Sequence, residues 1–195
     1  MSLLTTLRGQ RSGDSSASDK SLASATALAP ANSPSVSRIL RARRSLHIDC
    51  SSDHRCLRAG SRFEAGEVVL VLEGLLSDTP SRYSVQVGAD LHVQPAPGIP
   101  EDSVRAAWRF LNHSCQPNAA FRGPVLTALT AIDPGDEITF DYNTTEAVMA
   151  EPFTCRCGHC GGRVIGGYSN LASADRKRLA GTVASYLVER QTRSS

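Results

Sequence analysis

Lysine is almost missing from this chain: it stands only at positions 20 and 177, and arginine supplies the other 19 of the 21 basic residues. That leaves few sites at which the protein could modify itself on a lysine. Aromatic residues are scarce too, at 5% of the sequence. The alternation of basic and exposed aromatic residues used by single-stranded nucleic-acid binders is therefore absent. No run of 18 apolar residues exists, so no membrane-spanning segment is expected. A secretory hydrophobic segment is also lacking, which argues against reading the six cysteines as a disulfide framework and for a cytoplasmic or nuclear protein that is not secreted.

Net charge is small, +2, but unevenly spread. Residues 1–46 hold seven Arg or Lys against Asp14 and Asp19, a balance of +5, which leaves −3 for the remainder. A domain with that balance has no electrostatic footprint for nucleic acid, so no direct nucleic-acid binding is expected.

The length suits one domain with tails. Residues 1–45 read as a disordered tail, rich in Ser, Ala, Thr and Pro to residue 37 and basic from Arg38 to Arg44. The folded part should begin near Leu46. Glu67–Glu73 reads as a buried strand after the Ala65-Gly66 turn. Tyr83, Val85 and Val87 alternate and should share one strand face, with Leu91–Val93 as a short return strand. Glu101–Trp108 should form two helical turns opening on acidic residues. Val125–Leu129 is a further strand, and Asp133-Pro134-Gly135-Asp136 is a tight turn. The strand after it points Ile138, Phe140 and Tyr142 to one side. Leu179, Val183 and Leu187 recur every four residues, which predicts one amphipathic C-terminal helix with Ser173 as N-cap. Many short strands and little helix make the domain mainly β.

Two blocks carry the chemistry: Asn112-His113-Ser114-Cys115-Gln116-Pro117-Asn118, and Gly135-Asp136-Glu137-Ile138-Thr139-Phe140-Asp141-Tyr142. In this order they resemble the signature motifs of the SET domain, the fold of protein-lysine methyltransferases, over about residues 53–170. The resemblance implies small curved β-sheets with a pseudoknot where the two motifs meet, and S-adenosyl-L-methionine as methyl donor. It divides the ordered chain into a SET domain at 46–150, a post-SET segment at 151–170, and a C-terminal helix and tail at 171–195. Asn112, His113 and Tyr142 match donor-binding positions. Tyr142 also matches the active-site tyrosine, and Tyr83 is a second candidate for the lysine channel. Arg55 and Phe153 are further candidates on the donor side. Trp108 and Phe110 read as core. The implied partner is a lysine-bearing protein or peptide, with a histone as one possibility.

Cys155-x-Cys157-x-x-Cys160 offers three thiolates, one short of tetrahedral zinc. His159 within the cluster is one candidate for the missing ligand. The resemblance supplies another, Cys115 of the first motif, and so implies a Zn2+ site of Cys115, Cys155, Cys157 and Cys160. Cys50 and Cys56 fall outside the pattern and read as buried thiols.

The chain departs from the family at Asp53-His54-Arg55-Cys56-Leu57-Arg58. Members carry Gly-x-Gly there, where bare backbone approaches the donor, and this chain has His54 and Cys56. The segment that usually carries substrate specificity is also short, about Gln94–Trp108. Three readings follow: a donor-dependent lysine methyltransferase, a non-catalytic interaction module on the same zinc-pinned fold, and a small zinc-dependent nucleic-acid binder, which the domain's charge disfavours.

Overall fold

The structure is a computed structural model that describes residues 45–51 and 54–193. The expected disordered tail and its Arg38–Arg44 cluster lie outside the described residues.

Twelve short strands form five small sheets among the described residues. β1 (Leu46–Ser51) and β2 (His54–Ala59) pair antiparallel. β3 (Val68–Val71) and β8 (Ala119–Arg122) flank β9 (Val125–Ala128) in a three-stranded sheet. β4 (Leu75–Ser77) and β5 (Val85–Gly88) flank β6 (Leu91–Gln94) in another. Two-residue ladders join β7 (Asn112–His113) to β10 (Thr139–Phe140), and β11 (Phe153–Thr154) to β12 (Val164–Ile165). The mainly β fold of small sheets and short helices agrees with the sequence reading.

The apolar strand residues converge on one core, in which Leu57, Val69, Leu126, Ile132 and Ile138 are fully buried. Each such side chain contributes about 1.5–3 kcal/mol when removed from water. Trp108 belongs to this core, with its indole N–H donating to the Glu73 carbonyl at 3.0 Å. The Asp133–Asp136 turn forms as expected. Asp136 N–H bonds the Asp133 carbonyl at 3.0 Å, and Gly135 adopts φ +90°, where a side chain would be strained.

Several local expectations need correction. Glu101 and Asp102 precede the helix rather than open it: a 3-10 helix runs Val104–Phe110, and the Ser103 hydroxyl caps it by accepting the Arg105 N–H. Tyr83 lies in the turn before β5 and is 46% exposed, because the chain becomes extended only at Val85. Tyr142 starts a short 3-10 helix, Tyr142–Thr144, instead of continuing the strand, since the Asp141 carboxylate caps the Asn143 N–H. Cys56 is buried, whereas Cys50 is exposed.

The single C-terminal helix is two helices, α1 (Ser173–Leu179) and α2 (Ser185–Arg193). Ala172, not Ser173, is the capping position, and no side chain bonds there. Gly181 and the β-branched Thr182 and Val183 weaken helix between them. The Ala184 N–H turns away to the Thr144 carbonyl. Leu179, Val183 and Leu187 still meet as expected, in a second small core with Ala147 and Tyr168. No helix among the described residues is long and apolar enough to cross a membrane.

Candidate active site

The two sequence motifs lie side by side. β7 and β10 pair in parallel, with Asn112 opposite Thr139 and His113 opposite Phe140. Asn118 fastens them further, its amide donating to the Glu137 carbonyl at 2.8 Å and its carbonyl oxygen accepting the Thr139 N–H at 2.9 Å. This pairing delivers His113 and Tyr142 to one place, with ring centroids 5.4 Å apart. Phe153 joins them at 5.9 Å from each ring.

Tyr142 donates its hydroxyl proton to the Leu111 carbonyl at 2.6 Å. Burial pushes its phenol far above the usual range, so it stays protonated. His113 has a nearly buried side chain whose Nδ1 accepts the Tyr142 backbone N–H. Burial, opposed by the nearby Asp141 carboxylate, keeps the imidazole below its ordinary pKa and hence neutral. Asp141 is itself buried, and Arg178 reaches it at 3.4 Å while donating to the Cys115 carbonyl at 3.0 Å.

The cysteines also gather. The sulfurs of Cys115, Cys155, Cys157 and Cys160 all lie within 4.8 Å of one another, and His159 is not part of the group. The Cys115–Cys155 and Cys157–Cys160 separations are 3.9 Å. A tetrahedron with Zn–S bonds of about 2.3 Å has edges of roughly 3.8 Å, so the four thiols fit zinc. Burial raises the Cys157 thiol, but backbone N–H groups of Cys115 and His159 outweigh it and pull the pKa to about 6. Cys160 is pulled down as well, first by the Arg163 backbone amide.

The site opens on a cleft of about 1120 Å³. Asn112, His113, Tyr142, Phe153 and Tyr83 line it, and so does His54. Tyr83 stands at its edge, with the Arg109 guanidinium 4.9 Å from its ring. Arg55 is not among the lining residues: its guanidinium pairs with Glu101 at 3.1 Å and lies over the Phe110 ring. Where the family has its glycines, His54 Nε2 contacts Glu137 Oε2 at 3.0 Å and comes within 3.4 Å of the Asn112 amide nitrogen. That amide donates to Glu137 Oε1 at 2.8 Å and to the Arg55 carbonyl at 3.0 Å.

Sequence reasoning did not single out Glu137 or Glu146. Glu137 stood inside a quoted motif, which was its available signal. Glu146 carried none. It is buried, accepts the Gln86 N–H at 2.8 Å and lies 3.9 Å from His92, and burial raises its carboxyl to about 7.

The class defined by this arrangement is a small-sheet β domain with paired signature motifs, a half-buried tyrosine lining a cleft and a four-cysteine cluster beside it. The family model of the SET domain matches residues 54–143. The cysteine cluster gathers just after these residues in the chain, apart from Cys115. It is 42% identical over 71 residues to the histone-lysine N-methyltransferase ash1 of Drosophila melanogaster, covering 31% of this chain and 3% of that protein. It is 31% identical over 150 residues to the histone-lysine N-methyltransferase, H3 lysine-36 specific, of Yarrowia lipolytica, covering 67% of this chain and 19% of that protein. The chain thus spans only a small part of either relative. Among solved structures it resembles KRYPTONITE in complex with mCHH DNA, H3(1-15) peptide and SAH, with a TM-score of 0.45 and 23% identity over 60% of this chain and 28% of that one.

Proposed function

We propose that this protein transfers a methyl group from S-adenosyl-L-methionine to a lysine side chain of a protein or peptide. The observation that carries the reading is the Tyr142 hydroxyl, fixed on the Leu111 carbonyl beside the Asn112-His113 pair within the cleft. The relatives' names favour a histone and, with it, the nucleus.

The donor supplies an electrophilic methyl on a sulfonium centre. Asn112 and Phe153 would hold it from the cleft wall, with His113 setting the wall's shape rather than offering a free ring nitrogen. A free lysine has a pKa of about 10.4, so the amine must enter neutral. The positive charge of the donor's sulfonium and the Phe140, Tyr142 and Phe153 rings on this part of the cleft wall disfavour its charged form. Tyr142 is not the base, because its phenol stays protonated. With its proton committed to Leu111, its oxygen accepts an N–H of the incoming amine and so turns the nitrogen lone pair toward the methyl. The rate advantage then comes from orientation and preset dipoles. Tyr83, at the edge, would line the lysine's approach.

The four-cysteine cluster would hold Zn2+, supplying a structural pin for the segment that carries Phe153. The reading with no catalysis is favoured by one observation, the His54 imidazole lying against Asn112. Calorimetric titration of S-adenosyl-L-methionine into zinc-loaded protein separates the two. Micromolar binding that disappears in Asn112→Ala supports the transferase, and a peptide-array methylation screen then identifies the substrate. A folded, zinc-containing protein that binds no donor leaves the interaction module.

A further inference from the structure

Among the described residues, two groups of side chains come within metal-ligand distance. One is the four-cysteine cluster. The other is His54, Cys56 and Glu137, whose ligating atoms also lie within 4.8 Å of one another. It shares no residue with the cysteine cluster and lies against the Asn112 amide.

We infer that His54 Nε2, Cys56 Sγ and Glu137 Oε2 form a second site for a divalent transition ion of the zinc class, at the rim of the cleft. His54 and Cys56 are two residues apart on β2 and so project from the same face of the strand. Glu137 is brought to that face by the backbone: Arg58 and Glu137 form an isolated antiparallel bridge, and Ile138 N–H donates to the Leu57 carbonyl at 2.8 Å. An imidazole, a thiolate and a carboxylate are all zinc ligands, and with neutral histidine their charges balance a 2+ ion.

The surroundings suit the assignment. Asn112 donates to Glu137 Oε1 at 2.8 Å, fixing the carboxylate while Oε2 faces His54. Such an outer partner orients a ligand without taking its coordinating atom. The Asn112 amide is itself held by the Arg55 carbonyl, so its orientation is defined. Cys56 is fully buried, but His54 and Glu137 both line the cleft and the His54 side chain is 53% exposed, which gives an ion a way in. Binding takes the Cys56 thiol proton into solvent as the S–metal bond forms. His54 coordinates through Nε2, with its proton on Nδ1. Three protein ligands leave a fourth position open for water or another small donor, the arrangement of sites that exchange ligands rather than only brace a fold.

The test is the zinc content of the full chain, loaded with zinc alone and passed over a desalting column, compared with the double variant His54→Ala/Glu137→Gln. Both substitutions are gentle on the fold, since His54 is exposed and Gln still accepts from Asn112. The expected result is one zinc equivalent fewer in the variant. A second measurement uses cobalt in place of zinc: the variant loses the absorption of a one-thiolate centre and keeps that of the four-thiolate one. Equal metal content in the two proteins, at any absolute value, overturns the site, and so does a cobalt spectrum unchanged by the substitutions. Neither readout depends on whether the protein binds the methyl donor.

Discussion

The imidazole of His113 bridges Tyr142 and Cys115: its Nδ1 accepts the Tyr142 backbone N–H at 3.2 Å, and its Nε2 lies 3.2 Å from the Cys115 sulfur. With Nδ1 used as an acceptor, the ring proton sits on Nε2 and points at sulfur. One side chain thus connects the tyrosine of the cleft to the cysteine cluster. Replacing it with His113→Phe is expected to weaken zinc retention by the cluster about 10- to 100-fold, as loss of an outer-shell donor does elsewhere. Competition with a graded series of chelators measures this, and unchanged retention would show that the N–H···S contact carries no weight.

Tyr142→Phe removes only an oxygen. The Leu111 carbonyl then loses its partner in a buried setting, a loss of about 1–3 kcal/mol in unfolding free energy. On the proposed reading, in which the oxygen acts on the amine, methyl transfer should fall by roughly 10²-fold or more while donor affinity holds. Single-turnover rates beside calorimetry resolve the two effects, and equal losses in both would place Tyr142 in donor binding instead.

Glu146 makes stability depend on pH. Its carboxyl is raised from an ordinary value of 4.5 to about 7 in the folded protein. Between those values the folded state keeps the proton and the unfolded chain has lost it, so its contribution is complete at low pH and disappears as pH rises through 7. The advantage of wild type over Glu146→Gln should therefore shrink by roughly 3 kcal/mol from about pH 4.5 to above pH 7. Denaturant melts of both proteins across that range give the difference curve. Buried His92, 3.9 Å away, is present in both, so its own titration largely cancels.

Gly167 adopts φ +95°, and a methyl group there would sit 2.7 Å from the Ala147 carbonyl oxygen. Gly167→Ala should destabilise by about 3 kcal/mol or more, combining strain with a backbone clash. Gly66→Ala is the comparison: φ is +82° but nothing lies within 4 Å, so only the strain of about 1 kcal/mol remains. Equal midpoints for the two variants would mean the loop at Ala147 simply moves aside.

Much of this site was legible because its chemistry is local in sequence. The Asn112–Asn118 and Gly135–Tyr142 blocks each fit on a few adjacent residues, and Cys155, Cys157 and Cys160 occupy one loop. What was hidden rests on distant partners. His54 meets Glu137 across 83 positions, and no pattern around either announces the contact. Glu146 looks like a solvated acid until the Gln86 N–H closes on it from 60 residues away. The four-residue period of Leu179, Val183 and Leu187 correctly marked a buried face, yet an apolar period does not report where the backbone breaks, and the Ala184 N–H found a better acceptor in Thr144. Tyr83 followed an alternating pattern that began one turn before the strand did.

Tyr186, on α2, places its hydroxyl 2.6 Å from the Gln86 carbonyl and 2.9 Å from that of Thr145. On a ribosome, that hydroxyl is made a hundred residues after the carbonyl it meets. Until it emerges, both carbonyls must be served by water, and the wall that holds Glu146 stays unsealed. Such far-separated contacts slow folding, because the chain must close a long loop before any of them forms. The nascent protein therefore passes through an interval in which its signature motifs have been synthesised but their supporting wall has not, and in that interval it is most open to chaperones and proteases.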